Sequence, residues 1–161
     1  MDTTKQKAII EKFFSEYETR FMRSLLDPPQ IDIEGVVDSF ASSFIGANPS
    51  GVACGKNDVE FRAAMLQGFA FYKSIGTKAM KVASLDITQL DEYHVMVKVH
   101  WDSSYAKNNS EIRIEFDVIY FLQMIGEKPR IFAYITGDEQ NTLREYGLIP
   151  NNPVNKPGST Y

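Results

Sequence analysis

The chain holds two histidines and one cysteine, and only His100 has a carboxylate placed to act with it. His94 to Trp101 alternates apolar Val95, Val97, Val99 and Trp101 with His94, Met96, Lys98 and His100. Glu111 to Met124 does the same with Ile112, Ile114, Phe116, Val118, Tyr120 and Leu122. Period-2 alternation of this length marks strands with one buried face. Asn108 and Asn109 between them suit a two-residue turn, because Asn tolerates positive φ. That turn sets Trp101 across from Phe116, Val99 from Val118, Val97 from Tyr120, and His100 from Asp117. A one-residue slip would put one arm's apolar set on the wrong face. The chemistry this pair could do is proton transfer, with Asp117 orienting and charging the His100 imidazole. The plain alternative is a cross-strand charge pair on the outer face beside Lys98, Arg113 and Glu115, worth roughly 0.2–1 kcal/mol. Cys54 has no histidine near it in sequence, and nothing marks it as an activated thiol.

A second set of residues suits binding. Phe69, Trp101, Tyr120 and Tyr134 are either the lining of an apolar pocket or plain core, with the tyrosine hydroxyls as polar handles in the first case. Asn48, just before Pro49, either closes a turn or offers its amide to a ligand carbonyl.

These residues need elements to hold them. Ile10, Phe13, Phe14, Tyr17, Phe21 and Leu25 predict an amphipathic helix from Thr3 or Thr4 to about Leu26, stopped by Asp27-Pro28-Pro29. Asp32 caps a short second helix with Ile33, Val36, Val37 and Phe40 on one face. Short strands over 44–47 and 52–54 flank the Asn48-Pro49-Ser50-Gly51 turn. A third helix runs from a cap at Asn57 or Asp58 to about Ser74, ended by Gly76. Strands then follow over 80–90, the long hairpin, and 129–136, read as antiparallel between sequential neighbours. A last short helix opens at Asp138, and the tail from Pro150 reads as irregular. Helices followed by a run of strands is an α+β layout, with one domain over residues 1–149.

Composition narrows the function classes. Of 161 residues, 43% are hydrophobic and 24% charged, which is ordinary for a soluble domain. A net charge of −4 with no basic stripe argues against nucleic acid. One Cys cannot form an intrachain disulfide, and Cys and His are too few and too scattered for a zinc site. No apolar run nears the roughly 20 residues of a membrane span, and the first residues carry no signal-peptide core. No glycine-rich phosphate loop or metal cluster calls for a cofactor. The expected location is the cytoplasm.

The order of elements resembles the nuclear transport factor 2-like superfamily, over roughly Thr4 to Leu148. Asp32-Ile-Glu-Gly-Val-Val-Asp-Ser-Phe-Ala41 and Ile45-Gly-Ala-Asn-Pro49 look like its second helix and following turn. The segment from Ile135 to Leu148 is similar to the end of many members of unknown role. The resemblance implies a cone-shaped, strongly curved antiparallel sheet packed against N-terminal helices (a cystatin-like roll), an apolar pocket, and dimers formed through the sheet. The superfamily's isomerases carry a carboxylate base where this chain has Asn48, and an amide has no pKa for taking a proton. Asp117 matches their neutral acid by segment alignment, which would turn it inward if a bulge switched the strand's face. Their tyrosine donor falls near Phe21, with Tyr17 one turn away. Met96, Ile119 and Phe121 place apolar groups on the otherwise polar face, which also points to a homodimer.

The lead expectation is a SnoaL-like pocket protein that binds a small hydrophobic molecule. The candidate pocket residues are Tyr17, Phe21, Asn48, Phe69, Trp101, Tyr120 and Tyr134. The alternatives are a lyase, isomerase or cyclase using Asp117 with His100 or a tyrosine, and a dimeric protein-interaction module. Orientation separates them: an inward Asp117 beside a cavity favours the enzyme, an outward one with a ligand-sized space the binder, and a filled cone the interaction module.

Overall fold

A computed structural model describes residues 2–151. Ten elements follow one another: α1 (Thr3–Ser24), α2 (Ile33–Asp38), β1 (Phe40–Asn48), β2 (Gly51–Lys56), α3 (Val59–Ser74), β3 (Thr77–Gln89), β4 (His94–Lys107), β5 (Ser110–Ile125), β6 (Lys128–Ile135) and α4 (Glu139–Glu145). All but Met1 and the last ten residues of the chain are described, so most of the tail expected to be irregular lies outside them.

Aspartates start every helix. The side chains of Asp32, Asp58 and Asp138 accept from Gly35 N, Phe61 N and Asn141 N, satisfying amides that the first turn leaves open. At α1 the cap is Asp2 rather than Thr3 or Thr4, and it accepts from Thr4 N at 3.1 Å. A carboxylate is the stronger acceptor at a helix's positive end. At the other end of α3, Gly76 turns the chain at φ +85, and Ala106 N donates to its carbonyl at 2.8 Å.

The strands form one curved, open sheet in the order β2-β1-β6-β5-β4-β3. The β4–β5 hairpin keeps an unbroken register, with Trp101 opposite Phe116 and His100 opposite Asp117. Asn108 and Asn109 turn it with φ of 51 and 63, the double positive φ of a tight hairpin. One expectation needs correcting: the sheet is not antiparallel throughout, because β1 lies parallel to β6. The chain reaches β6 only after laying down the other strands, so β1 pairs with a strand far from it in sequence. β1 also begins at Phe40, which belongs to the sheet rather than to the face of α2.

α1 lies across the concave face, chiefly against β3. Ile10 and Phe14 are fully buried there with Val95, Val97, Val99 and Tyr120. The middle of the cone is therefore solid. No helix among the described residues is long and apolar enough to cross a membrane.

Candidate functional site

Because β4 and β5 pair without a bulge, alternation persists and Asp117 points outward, to the convex face. Its Oδ1 stands 2.7 Å from His100 Nδ1, and His100 Nε2 stands 3.1 Å from Glu115 Oε1. Lys98 Nζ lies 3.6 Å from the other Asp117 oxygen. An imidazole facing carboxylates through both nitrogens donates from both, which is the protonated form. The bonds to Asp117 and then Glu115 accordingly raise the His100 pKa above its ordinary value. The bond from His100, opposed by slight desolvation, lowers that of Asp117. With neither nitrogen free to take a proton, and the pair at the surface, this is a charge network tying two strands.

It follows that replacing Asp117 by Asn lowers the midpoint of the His100 NMR titration towards that of a free imidazole. The sign for stability is fixed. His100 has a raised folded pKa, so its contribution is complete below the ordinary histidine value and disappears as pH rises through the folded one. Asp117, with a lowered pKa, loses its contribution as pH falls through its folded value. An unchanged His100 midpoint in D117N would contradict this pairing.

The residues expected to bind separate into two groups. Tyr17, Phe21, Trp101 and Tyr120 are buried core, and half-buried Phe69 packs edge-on against Phe21 at 5.9 Å. Asn48 and Tyr134 instead line an open groove of about 880 Å³ between the β1–β2 hairpin and the first half of α3. Phe61 and Met65 of α3 form one wall, and Phe44 and Tyr134 the floor.

The floor exists because of two glycines. Gly46 pairs with Tyr134, and a Cβ on Gly46 would lie 2.7 Å from the tyrosine's Cζ and Oη. Gly55 pairs with Phe44, and a Cβ there would collide with the phenylalanine ring. Each ring thus lies flat over a strand position with no side chain. Phe40 and Phe61, edge-on to each other, pack against the tilted Phe44 ring, with centroids 4.9–5.3 Å apart.

The groove's charged residues, Lys56, Asp58 and Glu60, are exposed, and its buried polar group is the Tyr134 hydroxyl. The Tyr134 hydroxyl has no hydrogen-bond partner among the described residues, and burial raises its pKa, so it stays a neutral donor. Behind it sit Tyr17, its pKa pushed well up by burial, and Tyr120, raised for the same reason. The Tyr120 hydroxyl is buried near Tyr17 and the Trp101 ring nitrogen, outside good hydrogen-bond geometry. Asn48 spends its amide oxygen on Ser50 N at 2.8 Å, closing its own turn, and keeps its NH2 at the groove's rim.

One polar pair escaped the reading of the sequence. The Tyr72 hydroxyl of α3 meets both carboxyl oxygens of Glu139, at 2.8 and 2.7 Å, beside a small cavity under α4. Glu139 lies in the family-like segment from Ile135 to Leu148, but nothing in that segment names a partner, and the only signal on α3 was a tyrosine on its apolar face.

Solved structures share this architecture. An NTF-2 like protein of unknown function from Shewanella oneidensis MR-1 superposes with a TM-score of 0.62 at 16% identity, over 82% of this chain and 98% of that one. An NTF2-like protein with a cystatin-like fold from Novosphingobium aromaticivorans gives 0.62 at 11% identity, over 89% and 88%. A nuclear transport factor 2 superfamily protein from Salmonella enterica gives 0.59 at 12%, over 83% and 91%. At such identities the likeness is one of fold. No functionally curated protein matches the chain. The family model described as NTF2-like protein (DUF6841) matches residues 5–139, and the chain belongs to that NTF2-like family.

Proposed function

We propose that the protein binds a small, largely apolar molecule in the groove between β1–β2 and α3. The observation that carries this reading is the floor of Phe44 and Tyr134 laid over Gly55 and Gly46, which leaves ligand-sized space walled by Phe61 and Met65. The filled cone by itself favours the interaction module, but the cleft beside it keeps an apolar floor and wall with a few inward polar groups, the usual form of small-molecule sites. The unpartnered Tyr134 hydroxyl and the Asn48 NH2 offer donors to a carbonyl or hydroxyl on the ligand. A catalytic His100–Asp117 pair is the weaker reading, since that pair faces outward with both imidazole nitrogens engaged. Titration with the uncharged naphthalene fluorophore prodan tests the binder. It should saturate at one site per chain and be unaffected by Asp117→Asn, and a failure to saturate removes the reading.

The convex face supports a homodimer. Ile45, Met96, Ile119, Phe121, Phe132 and Ile135 lie together on β1, β4, β5 and β6, with Phe121 and Phe132 in ring contact at 6.1 Å. A half-exposed apolar surface of this kind, with Ile45 and Ile135 open to solvent and the His100 charge network at its border, suits a self-complementary interface. Sedimentation equilibrium at micromolar concentration is expected to give a dimer, and Ile135→Asp a folded monomer. A wild-type monomer would contradict it.

A further inference from the structure

The cavity under α4 is separate from the groove; only Thr136 lines both. It measures about 70 Å³, and Tyr105, Ile114, Phe116, Val118, Glu139, Thr142 and Leu143 are among the residues lining it. Glu139 shows part of its surface to solvent, but its carboxyl end is turned inward and enclosed. Burial raises its pKa, and the bond from Tyr72 offsets this only in part. Among the described residues no lysine, arginine or histidine pairs with it, and none lines the cavity.

At Glu139 and Thr142 the cavity's hydrogens are already spent. Tyr72 has one hydroxyl proton for two carboxyl oxygens, so both contacts are satisfied when Glu139 is protonated and returns its own O–H to the tyrosine oxygen. Thr142 Oγ1 donates to Asp138 O at 3.1 Å. Glu139 and Thr142 thus keep lone pairs and no free donor. Beside Glu139 and Thr142 a ligand carbonyl, which brings only an acceptor, would have to pull a proton out of one of these bonds. A ligand rich in N–H donors would meet acceptors already in place. The flanking aromatic rings also favour positive charge over their faces.

We propose that this cavity binds the ammonium end of a small primary amine, held against Glu139 beside Tyr105 and Phe116. An amine entering as the free base takes the Glu139 proton, and one entering as ammonium displaces that proton to solvent. Both routes end in the same ion pair, with Tyr72 donating to the carboxylate. The titratable groups facing Glu139 are Tyr72 from α3, Tyr105 from β4 and its neighbour Asp138; none supplies the cation.

The test uses propylamine and its uncharged counterpart 1-propanol on the full-length protein, followed by NMR of the Glu139 side-chain carboxyl carbon. Propylamine should saturate, shift that carbon from the neutral-acid to the carboxylate position, and bind at least about tenfold more tightly than propanol, about 1.4 kcal/mol. Glu139→Gln keeps a partner for Tyr72 and should abolish the preference for the amine. The carbon shift in the wild-type protein is independent of whether that variant folds. Equal binding of the alcohol, amine binding retained in E139Q, or no movement of the carboxyl carbon each overturns the proposal. Because the groove contributes only Thr136, prodan binding is expected to persist in all of these samples.

Discussion

Replacing Trp101 by alanine is expected to cost about 3–5 kcal/mol, in the range measured for large aromatic truncations in cores. The indole is 2% exposed, faces the concave side of β4, pairs across to Phe116 and Val82, and lies 6.1 Å from the Tyr17 ring. Nothing nearby can close the gap, because α1 and the sheet are held apart by Phe14 and Tyr120, both fully buried. Since domains of this kind are stable by only about 5–15 kcal/mol, the variant sits close to unfolding. Urea denaturation followed by circular dichroism measures the loss. A cost below about 1 kcal/mol would mean that Trp101 borders open space instead of core.

Gly46→Val is expected to have the largest effect on binding. Its new side chain starts where the Tyr134 ring now lies, so the ring must leave the floor of the groove. Forcing extra methyl groups into a packed site costs about 1–3 kcal/mol, so the fold should survive. Prodan affinity should fall at least about tenfold, because both the apolar floor and the Tyr134 hydroxyl are displaced. Melting experiments separate the two effects: lower stability with unchanged affinity would place the ligand elsewhere.

The hairpin was the most legible part of the chain. Asn108-Asn109 fixes the turn, and the alternation from His94 to Trp101 on β4 leaves a single register that buries Val95, Val97, Val99 and Trp101 together. The same alternation, followed through β5, puts Asp117 on the outside. The caps at Asp32, Asp58 and Asp138 were local signals, and so was the turn at Gly76. What could not be read depends on contacts distant in sequence. The parallel pairing of β1 with β6 follows from how the whole chain returns to its first strand. Gly46 and Gly55 look like ordinary turn-flanking glycines until pairing sets them beneath Tyr134 and Phe44. Tyr17 and Phe21 of α1 and Trp101 and Tyr120 of the sheet have the composition of a pocket lining, but α1 packs against the sheet and buries all four. Tyr72 and Glu139, 67 residues apart, meet only because α4 folds back under the sheet.

Methionine methyl NMR tests the central claim most directly. Met65 lines the groove, whereas Met80 and Met124 are buried away from it and serve as internal references. Prodan added to protein labelled at the methionine methyls should shift the Met65 signal in proportion to occupancy and leave Met80 and Met124 in place. A stationary Met65 signal at saturating prodan, or equal shifts at all three, would contradict a ligand site between β1–β2 and α3.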